Sequence, residues 1–177
     1  MANAKKKNMV TAVFRDQVHA NAAYDRLINR GYASSEINVL MSDVTRARYY
    51  ANGEEERHDT GNLAAEGMGV GGAIGTAVGA TLAAVAAIGT SLAIPGLGLI
   101  IAGPLAAALA GAGAGAVAGG AIGALVGFGI PESNAKAYQE ALREGGVVIG
   151  VVPRSSDHAR EIENDFKDLR GENICYC

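Results

Sequence analysis

The chain has 177 residues, a net charge of −3 at pH 7 and two cysteines, which is enough for one domain, or for a small domain with one added element. Its 15 basic and 18 acidic residues all lie outside residues 67–131, a stretch of 65 residues that also lacks histidine. The charged parts are neutral (residues 1–66) or mildly acidic (residues 132–177). Neither has the clustered basic face of a nucleic-acid-binding protein, so we expect no nucleic-acid partner.

Residues 1–62 predict the first half of a small α/β unit, followed by a polar linker. The β-prone segment 9–14 ends at a charged pair, and an apolar stripe over 16–30 indicates an amphipathic helix that stops at a glycine. Alternating apolar residues predict a second strand over 37–42. Residues 43–62 are polar and have no period, and we therefore expect a linker there.

Residues 132–177 predict the second half of the unit. A proline followed by a glutamate opens a helix over 132–144. The continuous apolar run at 147–152 has the length and β-branched content of a central strand. Hydroxyl and carboxyl side chains at 155–157 cap a further helix, and the last five residues form a short strand.

Together these elements predict an α+β fold, a ferredoxin-like split βαβ unit with its helices on one face of the sheet. The element order is β-α-β, insertion, α-β-α-β, and the helix at 132–144 connects the insertion to the third strand. Neither half buries its helix alone. We therefore expect the halves to fold against each other and to hold the two ends of the insertion, residues 63–131, close together.

The insertion opens with a glycine motif that has two interpretations. Gly67, Gly69 and Gly72 match G-x-G-x-x-G, the phosphate-binding loop of dinucleotide-binding proteins. Such a loop follows a central strand and precedes an acidic residue that binds the ribose. Here the polar sequence HDTGNLAAE precedes the motif. After the motif, the next acidic residue is at position 132. We therefore exclude a dinucleotide site and expect no cofactor.

At a spacing of four residues, the glycines instead form two rows, each along one side of a helix. A glycine inside a helix costs about 1 kcal/mol relative to alanine, and close packing of two helices compensates for that cost. The pattern predicts a glycine-zipper helical hairpin that packs on itself and on other copies. A buried hairpin in a soluble oligomer is the alternative. The rows comprise Gly67, Gly71, Gly75, Gly79, Gly111, Gly115, Gly119, Gly123 and Gly127.

The length of the apolar stretches favours a membrane. Residues 67–94 and 105–130 offer 28 and 26 uncharged positions, and about 20 residues span a bilayer. The connection between them contains two prolines but no polar side chain. We therefore expect its tip to be buried, either as a wedge within the bilayer or inside an oligomer. This hairpin tip comprises Pro95, Gly96, Leu97, Leu99, Ile100, Ile101 and Pro104.

Four motifs carry a resemblance to a known family. They are the IPG turn at 94–96, the sequence GIPE at 129–132, Tyr138 in the following helix, and the valine-rich strand at 147–152. In these features the chain resembles a bacterial family of low-temperature-induced or general stress proteins. The resemblance implies a stress-associated, membrane-associated bacterial protein, and it supplies no catalytic residues.

The residues that could carry chemistry form no recognisable site. His19, His58 and His158 lie in separate elements, and we expect His19 and His158 on the surface. Cys175 and Cys177 belong to the last strand, where we expect them to point to opposite faces and therefore to form no disulfide. We also expect no metal site there, because a structural zinc needs four ligands. No hydrolase, zinc-protease or Walker motif occurs, and so we expect no enzyme.

The main functional hypothesis is a non-enzymatic membrane protein. Its hairpin enters the bilayer and forms homo-oligomers, which shape or stabilise the membrane. No signal-peptide segment precedes the first strand, and we expect the soluble parts on the cytoplasmic side of the inner membrane. A pore or permeability factor is one alternative. A soluble oligomer with buried hairpins that senses a ligand is another.

Overall fold

The structure is a computed structural model that describes residues 8–49, 92–94, 98–107, 120–127 and 129–177. At its centre is one antiparallel sheet. Its strands are β1 (Val10–Phe14), β2 (Ile37–Ser42), β3 (Leu92–Ile94), β4 (Leu99–Ala102), β5 (Val147–Val151) and β6 (Glu172–Tyr176). They lie in the order β3-β4-β2-β5-β1-β6. The continuous apolar run forms β5, which lies between β1 and β2, and the prediction of a central strand is therefore confirmed.

Within the described residues, five α-helices accompany the sheet. They are α1 (Gln17–Asn29), α2 (Asp43–Tyr49), α3 (Gly120–Gly127), α4 (Glu132–Arg143) and α5 (Ser156–Asp168). Among them, α1 and α5 begin at residues whose side chains cap them. The Asp16 carboxylate accepts a hydrogen bond from the backbone N–H of His19 at 2.9 Å. The Ser155 hydroxyl accepts one from the backbone N–H of His158 at 3.1 Å. Each bond satisfies an amide that the first helical turn leaves unpaired. The chain is thus an α+β protein, as expected.

The segment after β2 is helical at its start, where we expected a linker. The hydroxyl of Ser42 accepts a hydrogen bond from the backbone N–H of Thr45 at 3.1 Å, which caps α2. Residues 50–62 of the predicted linker lie outside the described residues. Within the predicted linker, the helix is thus shown for residues 43–49.

Helices cover both faces of the sheet, whereas we expected them on one. Alternate side chains of each strand point to opposite faces. On what we call the first face, Phe14 and the other inward residues pack against α1 and α5. On the second face, Val13, Leu40 and Val148 pack against α4. The reason is that α4 is itself amphipathic, with Tyr138 and Leu142 fully buried, so it needs an apolar surface of its own.

Three residues of the predicted hairpin tip, Leu99, Ile100 and Ile101, form the strand β4, which lies between β2 and β3 in the sheet. In β4, Leu99, Ile100 and Ile101 are only 7%, 6% and 2% exposed. Strand β4 pairs with β2 from Val39↔Ala102 to Ser42↔Leu99, and β3 pairs with β4. This pairing satisfies backbone groups that an apolar tip in lipid would leave unpaired. Of the other predicted tip residues, Pro104 is exposed after β4, whereas Pro95, Gly96 and Leu97 lie outside the described residues.

The two predicted spanning helices also need correction where the structure describes them. The end of the first, residues 92–94, is the strand β3. In the second, Leu105 and Leu125 both belong to the apolar cluster on the second face. A straight helix over 105–130 would be about 39 Å long and would carry one end away from the sheet. Both ends of this stretch instead return to the same face.

The expectation of two unpaired cysteines is wrong as well. The structure joins Cys175 and Cys177 in a disulfide, with their Cα atoms 5.7 Å apart. Residues two apart on a strand point to the same face, so the two thiols lie side by side. The separation falls within the range of Cα distances that a disulfide accepts.

Candidate functional site

Two of the nine predicted zipper glycines, Gly123 and Gly127, lie on α3. The other seven lie outside the described residues. Helix α3 rests on the second face of the sheet through Leu125, which is 2% exposed, and the partly buried Ile122. Its two glycines are exposed on the remaining surface of the helix.

The outer face of α3, formed by Gly123, Val126 and Gly127, is open. A Cβ atom added at either glycine would meet no atom of the described residues within 4 Å. Val126, between them, is 42% exposed. The glycines therefore do not serve to let α3 approach the described part of its own chain.

The charge-free segment is fastened to the sheet immediately after β4. The amide oxygen of Asn38, a residue only 2% exposed, accepts a hydrogen bond from the backbone N–H of Leu105 at 2.8 Å. Gly103 has a φ of +91°, and an added Cβ would lie 2.3 Å from the carbonyl oxygen of Ile37. No other residue fits this close approach. Together Asn38 and Gly103 fix where the apolar chain leaves the sheet.

A buried hydrogen-bond network links the second face to the outer strand β6. The hydroxyls of Thr11 and Tyr138 lie 2.8 Å apart, and Tyr138 donates to the backbone carbonyl of Asn173 at 2.7 Å. Burial raises the pKa of Tyr138, against the opposing effect of its bond to Thr11. The phenol therefore stays neutral and acts as a donor. Its role here is to hold β6 against α4.

A cavity of about 770 Å³ opens at the end of the sheet where β5 finishes. The guanidinium of Arg154 lies over the Tyr32 ring, with 4.6 Å from Cζ to the ring centroid, and it donates to the carbonyl of Gly31 at 2.6 Å. Glu36 pairs with it at 3.6 Å. The cavity thus combines one cationic and one anionic group with apolar walls. It is lined by Asn8, Ser35, Glu36, Pro104, Val152, Pro153, Arg154 and Tyr176.

The histidines make structural contacts. The ring of His19 bonds the Asp16 carboxylate, and the ring of His158 lies 3.3 Å from the Tyr32 hydroxyl; His58 lies outside the described residues. Within the described ranges, no group of three or more His, Cys, Asp or Glu side chains is arranged to hold a metal ion. Among the described helices, none has the length and hydropathy needed to cross a bilayer.

The sequence analysis missed Asn38, Gly103 and Arg154. A signal was present for Asn38, a polar residue at an inward position of an otherwise apolar strand, because a buried amide needs hydrogen-bond partners. Arg154 gave no local signal, since its partners Tyr32 and Glu36 lie more than a hundred residues away along the chain.

Comparisons of the chain with protein families, with curated proteins and with solved structures found no match.

Proposed function

We propose that this is a non-enzymatic, membrane-associated protein whose glycine-rich segments bind the bilayer and other copies of the chain. The strand order β2-β5-β1-β6, with α1 and α5 on one face, supports a ferredoxin-like unit that carries these segments. Its soluble parts lie on the cytoplasmic side of the inner membrane in this proposal. An association with bacterial stress rests on the family resemblance.

The observation that carries the proposal is the open outer face of α3. Each exposed glycine costs a helix about 1 kcal/mol relative to alanine. In the described part of the chain, no close packing at Gly123 or Gly127 offsets this cost, because an added Cβ would meet no described atom within 4 Å. Small residues four apart let a second helix approach closely. The same spacing continues backwards in the sequence through Gly119, Gly115 and Gly111, which lie outside the described residues.

The residues that contact lipid in this proposal are not those of the predicted hairpin tip. Because β3 and β4 pair with the sheet, the centre of the charge-free segment belongs to the folded unit. The uncharged residues 67–91 and 108–119 flank this anchored centre. We assign the contact with lipid to these two flanks, and the contact between copies to the glycine rows within them and on α3.

Flotation on a density gradient after an alkaline carbonate wash tests the association with lipid. The wild-type chain is expected to rise with the vesicles. A soluble particle that stays at the bottom of the gradient would remove the membrane part of the proposal. Leakage of a trapped dye from intact vesicles would favour a pore instead.

Leucine substitutions on α3 test the association between copies. In Gly123→Leu with Gly127→Leu, a Cβ atom at either position meets no described atom of the chain within 4 Å, so the folded unit should persist while crosslinked oligomers disappear. Asn164→Leu, on the exposed surface of α5, is the matched control and should leave the oligomer intact. Oligomers of unchanged size in the double variant would contradict the assigned role of α3.

The cavity beside Arg154 favours a second candidate, a ligand-sensing oligomer. Paired charges on apolar walls suit a small zwitterion, with its carboxylate on Arg154 and its ammonium on Glu36. Light scattering of lipid-free protein with and without a panel of free amino acids tests this. A change in particle size with one of them would favour the sensor, and an unchanged size with all of them would exclude amino acids as its ligands.

A further inference from the structure

Cys175 and Cys177 are held as one unit at the end of the last strand. Both point to the same side of β6, because they are two residues apart, and their sulfurs are joined. The Cα separation of 5.7 Å is the usual one for a disulfide. The bond therefore forms from the strand as it stands, without movement of the backbone.

The pair is open to small molecules. Strand β6 is an outer strand of the sheet, and both cysteines are half-buried rather than enclosed. Both cysteines are partly exposed, but Cys177 packs against the apolar cluster on the second face, and we therefore assign the first attack to Cys175. Exposed disulfides are the ones that exchange readily with thiols.

The strand does not depend on the disulfide for its position. The backbones of Met9 and Cys177 exchange two hydrogen bonds, of 2.6 and 3.0 Å. Tyr138 holds the carbonyl of Asn173 at 2.7 Å, and Arg15 holds the Glu172 carboxylate at 2.8 Å. The disulfide closes a loop of only three residues, so it removes little entropy from the unfolded chain. The reduced thiols should therefore remain side by side in a folded protein.

We propose that Cys175 and Cys177 form a reversible dithiol–disulfide centre that exchanges with small thiols. The thiolate of an external thiol attacks the sulfur of Cys175, the bond to Cys177 breaks, and Cys177 leaves as a thiolate that takes up a proton from water. A second external thiolate then attacks the external sulfur of the mixed disulfide and releases Cys175. Two external thiols become one external disulfide, while the protein disulfide becomes two thiols. Because Cys177 stays beside Cys175, the reverse closure is intramolecular and fast.

Equilibration of the full-length chain in buffers of set cysteine-to-cystine ratio tests the centre. After rapid alkylation, intact mass spectrometry should show two labels appearing together in one transition, with the circular dichroism of the folded protein unchanged. The proposal would be overturned if the disulfide were reduced only when the protein is unfolded. It would also be overturned if the thiols stayed reduced in excess cystine. Cys175→Ser with Cys177→Ser is the control for folding and for background labelling.

The single variants test the assigned order of attack. With cystine, Cys177→Ser should accumulate a stable mixed disulfide on Cys175, because the thiol that would displace it is gone. Cys175→Ser should form its mixed disulfide on Cys177 several-fold more slowly, because Cys177 packs against the cluster. Equal rates, or a faster reaction of Cys177, would overturn this order. The measurements need no lipid and no oligomer, so their outcome is independent of the proposed membrane association.

Discussion

The two faces of the sheet are covered by very different parts of the chain. The first is covered by α1 and α5, charged helices that also pair with each other. Arg30 bonds Asp165 and Glu161, each at 2.5 Å, and Arg26 bonds Asp165 at 3.1 Å. The second is covered by α4, by α3 and by the residues after β4, the last two of which come from the stretch without charges.

The comparison shows that the charge-free stretch is partly a structural component of the folded α+β unit. The clusters on both faces contain fully buried side chains, such as Phe166 on the first and Leu142 on the second. The ion pairs that rim the first face are partly exposed, with Arg30–Asp165 the least exposed of them, and exposed ion pairs contribute only about 0–1 kcal/mol each. The stability of both faces must therefore come chiefly from apolar burial. Hydropathy alone does not distinguish an apolar segment that enters lipid from one that completes a sheet.

The largest effect is expected at Ile101, which belongs to the charge-free stretch. Ile101→Ala should lower the free energy of unfolding by about 2–5 kcal/mol, because it removes a side chain buried on the second face. Urea denaturation followed by circular dichroism measures this loss. Val44→Ala, at a residue 67% exposed, is the control and should change stability by less than about 0.5 kcal/mol. If the two variants were equally stable, the second face would not be a core.

A pair of glycine variants compares the stability of two sites in the charge-free stretch, one held against the sheet after β4 and one on the outer side of α3. Gly103→Ala should cost about 2–4 kcal/mol, since it combines a left-handed backbone with a clash against the carbonyl of Ile37. Gly123→Ala should instead stabilise the lipid-free monomer by up to about 1 kcal/mol, because alanine favours helix and meets open space. Thermal denaturation of the two variants in parallel gives the comparison. Equal losses would mean that α3 is packed on its outer side.

Alkaline pH should weaken the first face through Tyr24. Burial, with the nearby charge of Asp25, raises the pKa of Tyr24 to about 12. Between about pH 10 and 12 the folded protein keeps this proton while the unfolded chain loses it. The free energy of unfolding therefore falls as the pH rises through this window, by about 2–3 kcal/mol in total.

Denaturant titrations at several alkaline pH values measure the fall in the free energy of unfolding. Phenylalanine variants show which tyrosine causes it. Tyr24→Phe should reduce its slope. Tyr138→Phe should reduce it too, because the pKa of Tyr138 is also raised by burial. A decline that is unchanged in both variants would show that other groups cause it.

The smallest effect is expected at the cap of α5, on the first face. Ser155→Ala removes the acceptor of the His158 amide and should cost about 1 kcal/mol. Ser155→Asp, which keeps an acceptor at the helix N-terminus, should retain most of the stability. Chemical denaturation distinguishes the two. Equal losses in both variants would show that the hydroxyl does more than cap the helix.

The elements that the sequence predicted correctly are those in which the buried side requires apolar residues at a regular spacing. In α5, Ala159, Ile162 and Phe166 recur at helical spacing and are all buried. The strands at 37–42 and 147–151 were likewise found where apolar alternation and an unbroken apolar run placed them. In each case one side of the element faces a core.

The elements that the sequence did not predict are determined by distant partners. A short apolar run such as LIIA fits a strand or a buried helix equally well. It became β4 because β2 offered a free edge, some 60 residues earlier in the chain. The cysteine pair was missed for another reason, since residues two apart share a face and we had assigned them to opposite ones. The cavity beside Arg154 arises where several strands end, which no single segment reveals.

Hydrogen exchange followed by mass spectrometry, with and without vesicles, tests the central claim most directly. The account predicts that amides of residues 99–102 are protected in lipid-free protein and unchanged by vesicles, because β4 is bonded to β2. It also predicts that peptides from 67–91 become protected when vesicles are added. Rapid exchange at 99–102 without lipid, followed by protection with lipid, would place these residues in the bilayer and contradict the account.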